Sequence, residues 1–83
     1  MDYSQMTGTN TVTVYRSPSH PQTPWSLGIG FDEVLSVLES GPEAPLDAAE
    51  AALTAAGLRR VGDWQPHFPR AEWGWRIATV TAI

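Results

Sequence analysis

Polar and apolar positions alternate with period two along "TVTVYRS" (11–17), placing Val12 and Val14 on one face and Thr11, Thr13 and Tyr15 on the other. β-Branched residues in strict alternation predict a half-buried strand. "PSHPQTP" (18–24) follows, with three prolines in seven residues. That is too many for a helix or a central strand, so a turn or extended loop is predicted. The alternation resumes in "WSLGIGF" (25–31), where Trp25, Leu27, Ile29 and Phe31 form an apolar face and Ser26, Gly28 and Gly30 a nearly bare one. Glycine inside a strand usually marks a close approach by another backbone. The partner expected at Gly28 and Gly30 is a helix or a neighbouring subunit.

The period then changes. In "FDEVLSVLESG" (31–41), Phe31, Val34, Leu35 and Leu38 stand at i, i+3, i+4 and i+7, with Asp32 at an N-cap position and Gly41 at a stop position. This spacing predicts a short helix over 32–40. Val34, Leu35, Val37 and Leu38 also suit a two-sided buried strand, which is the competing reading. "LDAAEAALTAAG" (46–57) is the stronger helix, expected over 47–56. Asp47 and Glu50 form a capping-box pair, five alanines fall between 48 and 55, and Gly57 stands at the C′ position. Leu46, Ala49, Leu53 and Ala56 form its apolar stripe, and the alanines would let it approach the glycine face at 28 and 30.

"LRRVGDW" (58–64) and "WGWRIATVTAI" (73–83) read as two further strands, joined by the eight-residue loop "QPHFPRAE" (65–72). Trp73, Trp75, Ile77 and Thr79 share one face, and Gly74, Arg76, Ala78 and Val80 share the other. Trp73 and Trp75 are expected to lean toward the core beside Ile77. The order β-β-(α)-α-β-β predicts a small α+β domain over 10–83, a four-stranded, mostly antiparallel sheet with the helix on one face. Residues 1–9 are polar and are expected to form a loose tail.

Size limits what such a domain can do. A chain of 83 residues buries only about 60% of the surface its unfolded form exposes. With no cysteine, neither a disulfide nor a thiolate metal site supplements the core. Packing or self-association must supply the rest, and a dimer is expected, with the sheet edges available for it. The net charge is −4, and all five cations are arginine. The sign disfavours generic nucleic-acid binding. Arginine without lysine, beside plentiful alanine, glycine and proline, is the bias of GC-rich coding such as that of actinobacteria and their phages. "MDYSQMTGTN" has neither a signal-peptide nor a transit-peptide pattern, and no apolar run is long enough to span a membrane. A cytoplasmic protein is therefore expected.

Few chemistries survive inspection. "VTVYRSPSHPQT" resembles the first strand and redox loop of glutaredoxin-like proteins over about a dozen residues. Where that family carries Cys-x-x-Cys, this chain has Ser19, His20, Pro21 and Gln22, which excludes thiol redox chemistry. His20 and His67 are the only histidines and lack metal-ligand spacing, so no metal and no cofactor is expected. "GIG" lacks the other elements of a phosphate loop, and no strained nucleophile elbow exists. His67, Arg70 and Glu72 could in principle act as base, anion clamp and orienter. The favoured reading of these three is a polar loop in which Arg70 pairs with Glu72, and no enzyme activity is expected.

The segment "GDWQPHFPRAEWGWRI" (62–77) remains. Aromatics and arginine dominate interface hot spots, while lysine and glutamate are depleted there. Trp64, His67, Phe68, Arg70 and Trp73 are thus the candidate partner-binding residues, with Phe68, between two prolines, foremost. The expected function is a small non-enzymatic module, a regulator or inhibitor, that binds another protein. The alternatives are a nucleic-acid-associated regulator using Arg59, Arg60, Arg70 and Arg76, or an accessory subunit of an enzyme complex.

Overall fold

The alternating segments become strands of one sheet. A computed structural model of the chain describes residues 8–17, 19, 22–30, 33–68 and 70–83. Strand β1 spans Thr9–Tyr15, β2 Ser26–Ile29 and β3 Glu33–Val37; helix α1 spans Leu46–Ala55; β4 spans Leu58–Pro66 and β5 Arg76–Ala82. A 3-10 turn, Arg70–Trp73, precedes β5. The sheet has five strands in the order β3-β2-β1-β5-β4, and every neighbouring pair is antiparallel. The α+β class is as expected, but the sheet has five strands rather than four.

The added strand is β3, where the helical spacing of 32–40 had predicted a helix. Pairing decides this. Leu27 and Gly28 face Ser36 and Val34 across a bulge, and the hydrogen bond from Leu38 N to Trp25 O (2.7 Å) extends the ladder. A short apolar run fits either period, and an unfilled sheet edge beside β2 selects the strand. Phe31 and Asp32 lie outside the described residues, as do His20 and residues 1–7 of the expected tail. Thr9 already belongs to β1, opposite Thr81.

Alternation sorts the two faces. Val12, Val14, Leu27, Ile29, Leu58, Ala78 and Val80 are all buried, and they meet Ala49 and Leu53 of α1. The predicted helical stripe is therefore correct, and α1 lies closest to β4. Its start differs from expectation: Pro45 occupies the N-cap, and neither Asp47 nor any other side chain caps it. Glu50, the expected capping-box partner, instead accepts hydrogen bonds from Arg60 Nε and Trp64 Nε1 on β4. Trp25 is wholly buried at one end of the core, with Nε1 donating to Gly41 O (2.9 Å) and the Arg16 guanidinium 4.3 Å from its ring.

Among the described residues, no helix covers the opposite face of the sheet. Gly28 lies on this open face, so the alanine stripe of α1 does not meet it. What covers Gly28 is the ring of Tyr15 from β1. Ile77 and Thr79 pair with Thr13 and Thr11 on the same open face, whereas Ala78 and Val80 point to the core. Ile77 was expected to lean the other way, whereas Trp75, half-buried, does pack against the core cluster; period two groups side chains but does not say which group faces the helix. No helix among the described residues is long and apolar enough to cross a membrane.

Candidate functional site

Backbone hydrogen bonds tie the described residues between β4 and β5 to one another. His67 N donates to Trp75 O (3.1 Å) at its base, and Gly74 N donates to Ala71 O (3.0 Å) as the 3-10 turn closes. Gly74 has φ +84°, a left-handed geometry that favours glycine and turns the chain into β5. The predicted loop over 65–72 is thus displaced: β4 runs on through Pro66, and β5 starts only at Arg76.

Phe68 stands at 79% exposure on this turn. Trp73, at 37%, is exposed rather than core, contrary to expectation, because it sits in the 3-10 turn before the strand begins. The Arg70 guanidinium lies 4.8 Å from the Trp73 ring and 5.4 Å from the Trp75 ring. Arg70 therefore stacks on tryptophan, and the expected Arg70–Glu72 pair does not form among the described residues. The surrounding rings hold the guanidinium where Glu72, exposed on its own turn, does not reach.

Of the five predicted contact residues, the fold brings together His67, Phe68, Arg70 and Trp73. Trp64 is separated from them. It lies half-buried against the core, its indole bonded to Glu50 (3.0 Å), because it shares the face of β4 that carries Leu58 and Arg60. The four arginines of 58–77 are likewise dispersed. Arg59 faces the open side opposite Thr81, Arg60 bonds Glu50, Arg70 stacks in the turn, and Arg76 lies opposite Val14 on the helix side.

Behind the turn lies a groove on the open face, about 290 Å³ in volume, bounded by Thr13, Tyr15, Gly28, Glu33, His67 and Trp75. Trp75 organises it. Its Nε1 donates to Arg16 O (2.9 Å), while the Tyr15 and His67 ring centroids stand 5.4 and 5.6 Å from its own, tilted by 49° and 53°. The His67 Nδ1 is buried and lacks a hydrogen-bond partner among the described residues. Such an orphaned group is uncommon in a native fold. A second trough of about 360 Å³ shares Thr13, Gly30 and His67 with the first and runs on past Thr11 to Asn10.

Sequence reasoning missed Tyr15, Thr13 and Glu33. A signal existed, since alternation already set Tyr15 opposite Val14 and Gly28 opposite Leu27, and pairing the two segments would have put ring and glycine on one face. No His67–Glu72 contact occurs among the described hydrogen bonds, and no three His, Asp or Glu side chains among the described residues are grouped to hold a metal ion. No protein-family model, curated protein or solved structure matches the chain.

Proposed function

We propose that this protein is a small binding module that acts through a protein partner, contacted by Phe68, Arg70 and Trp73. The observation that carries the reading is Phe68, exposed at 79% beside the 3-10 turn. A phenylalanine left in water forgoes about 1.5–3 kcal/mol of burial, which an interface can recover. The 3-10 turn and the Arg70 stack hold the neighbouring groups in place beforehand, reducing the ordering cost of association. Dispersal of the arginines supports a protein partner over nucleic acid, which needs its cations on one surface.

The test compares the tagged full chain with its Phe68→Ala variant in cross-linking capture, with partners identified by mass spectrometry. One protein should be retained by the parent and lost from the variant, while the circular dichroism spectrum stays unchanged. Equal retention by both would refute the site. Self-association belongs to the same proposal, since β3 and β4 are open edges. Light scattering showing a strict monomer at micromolar concentration would remove that part.

A further inference from the structure

We infer that the open face of the sheet is covered by a second copy of this chain, sheet on sheet; this deepens the proposed self-association and rests on it. Area decides between face and edge. Pairing along β3, a strand of five residues, brings together a strip of about 17 by 10 Å, roughly 350 Å² over both copies, against the ~1,200–2,000 Å² of a stable specific interface. The β4 edge is no better, because Arg59, Arg60, the bulge between Val61 and Gln65 and Pro66 are the features that keep an edge from pairing. The open face is five strands wide, and its inner strands β1 and β5 are each seven residues long. It therefore measures about 24 by 20 Å, and two copies cover roughly 1,000 Å² in projection and more over the relief of their side chains.

Composition fits the same occupant. Among the described strand residues that register places on this face, Arg59 alone is charged, and it lies at the rim opposite Thr81. Asp63, in the β4 bulge, stands 3.7 Å from Arg60. A patch cleared of charge at its centre has the composition of an interface core. The exposed valines of the sheet lie here as well: Val34 and Val37 on β3, opposite Gly28 and Ser26, and Val61 on β4, opposite Thr79.

Sheet order makes the face complementary to itself. β1 is the central strand and β3 and β4 are the outermost, so a two-fold axis along β1 lays β3 of each copy over β4 of the other. The valines of β3 then meet the valine of β4 in both halves of the interface. Aligned sheets pack about 10 Å apart, a gap that β-branched side chains from both faces fill. Thr11 and Thr13, near the axis, meet their own counterparts, and their hydroxyls can donate and accept across it. The two Arg59 side chains fall on opposite rims, about 19 Å of strand spacing apart, where salt screens their repulsion.

Light scattering and sedimentation equilibrium of the full chain at micromolar concentration test the face, and a dimer is expected. Thr11→Lys, at an exposed position, should raise its dissociation constant about a hundredfold, because two like charges meet across the axis. Thr79→Lys, also exposed, places a charge against the uncharged partner face and should raise it about tenfold. Ser36→Lys, on the helix side of the β3 edge, should leave it within about twofold. The chain has no cysteine, so Thr11→Cys with a short bismaleimide should give a covalent dimer, and Glu33→Cys, exposed on the helix side, should not. If a lysine unfolds the domain by circular dichroism, the cross-link decides alone. A dimer that survives both threonine substitutions but is lost in Ser36→Lys overturns the face and keeps self-association at the edge. A dimer indifferent to all three, or one that Thr11→Cys does not cross-link, also overturns the face. A strict monomer removes self-association altogether, and the face with it. Capture through Phe68 is measured separately, so the turn reading stands or falls by its own test.

Discussion

The ring of Tyr15 lies across Gly28 on the neighbouring strand, so closely that a Cβ at position 28 would stand 3.0 Å from Tyr15 Cε1 and 3.4 Å from the Glu33 carbonyl oxygen. The bare glycine makes room for the ring, and the ring shields backbone that a side chain would otherwise cover. Aromatic cover of a strand glycine offsets part of the stability the glycine forgoes. From Tyr15 the contact passes to Trp75, 5.4 Å away, and so to the groove.

Gly28→Ala should therefore perturb the site as well as the fold. Overpacking costs about 1–3 kcal/mol, and the reduced freedom of the unfolded chain returns about 0.4–1 kcal/mol. A net loss near 1 kcal/mol is expected in urea denaturation. A changed near-ultraviolet circular dichroism band should accompany it as Tyr15 shifts against Trp75.

Gly30 and Gly74 separate backbone strain from crowding. Both hold left-handed φ values, +67° and +84°, but an added Cβ meets nothing within 4 Å at Gly30 and the Trp25 ring at 3.3 Å at Gly74. Gly30→Ala should cost roughly 1–2 kcal/mol from conformation alone. Gly74→Ala should cost more, roughly 2–3 kcal/mol, because Trp25 is fully buried and cannot move aside. Thermal or urea unfolding of the two variants side by side checks the ranking.

Glu50 and Asp47 should behave oppositely to a capping box. Glu50→Ala removes the acceptor for Arg60 and Trp64 Nε1 and leaves the indole N–H half-buried without its partner. A loss of about 1 kcal/mol is expected, kept modest by the partial exposure of the ion pair. Asp47→Ala loses only its interaction with the helix dipole, roughly 0.3–0.5 kcal/mol.

Two aromatic truncations mark the extremes of the molecule. Trp25→Ala empties a wholly buried site at about 3–5 kcal/mol. A domain of 83 residues has roughly 4–12 kcal/mol in all, so the variant should lose a large share of its stability, read as a lowered urea midpoint by circular dichroism. Phe68→Ala, at 79% exposure, should stay within about 0.5 kcal/mol of the parent.

Much of the fold was legible because its segments carry one period each. "TVTVY" and "SLGI" alternate cleanly, and "LDAAEAALTA" has a helical stripe and a glycine stop; all three stand within two residues of their predicted limits. Residues 33–37 were not legible, since Val34, Leu35 and Val37 fit both periods and only the free edge of β2 chose between them. The exposure of Phe68 was legible from its prolines and its loop. Tyr15 and Glu33 were not, because they reach the groove from strands distant in sequence.

By itself the sequence determined the strand alternations, the helix, the exposure of Phe68 and the absence of thiol chemistry, since each depends on neighbouring residues alone. Tertiary structure decided which face of each strand met the helix, sending Ile77 to the open side and Ala78 and Val80 to the core. It also moved Glu50 from a cap to a bridge and set Tyr15 over Gly28. The physical reason is common to all three. Strand register and helix placement minimise exposed apolar surface over the whole chain, and a period-two pattern is unchanged when its two faces are exchanged.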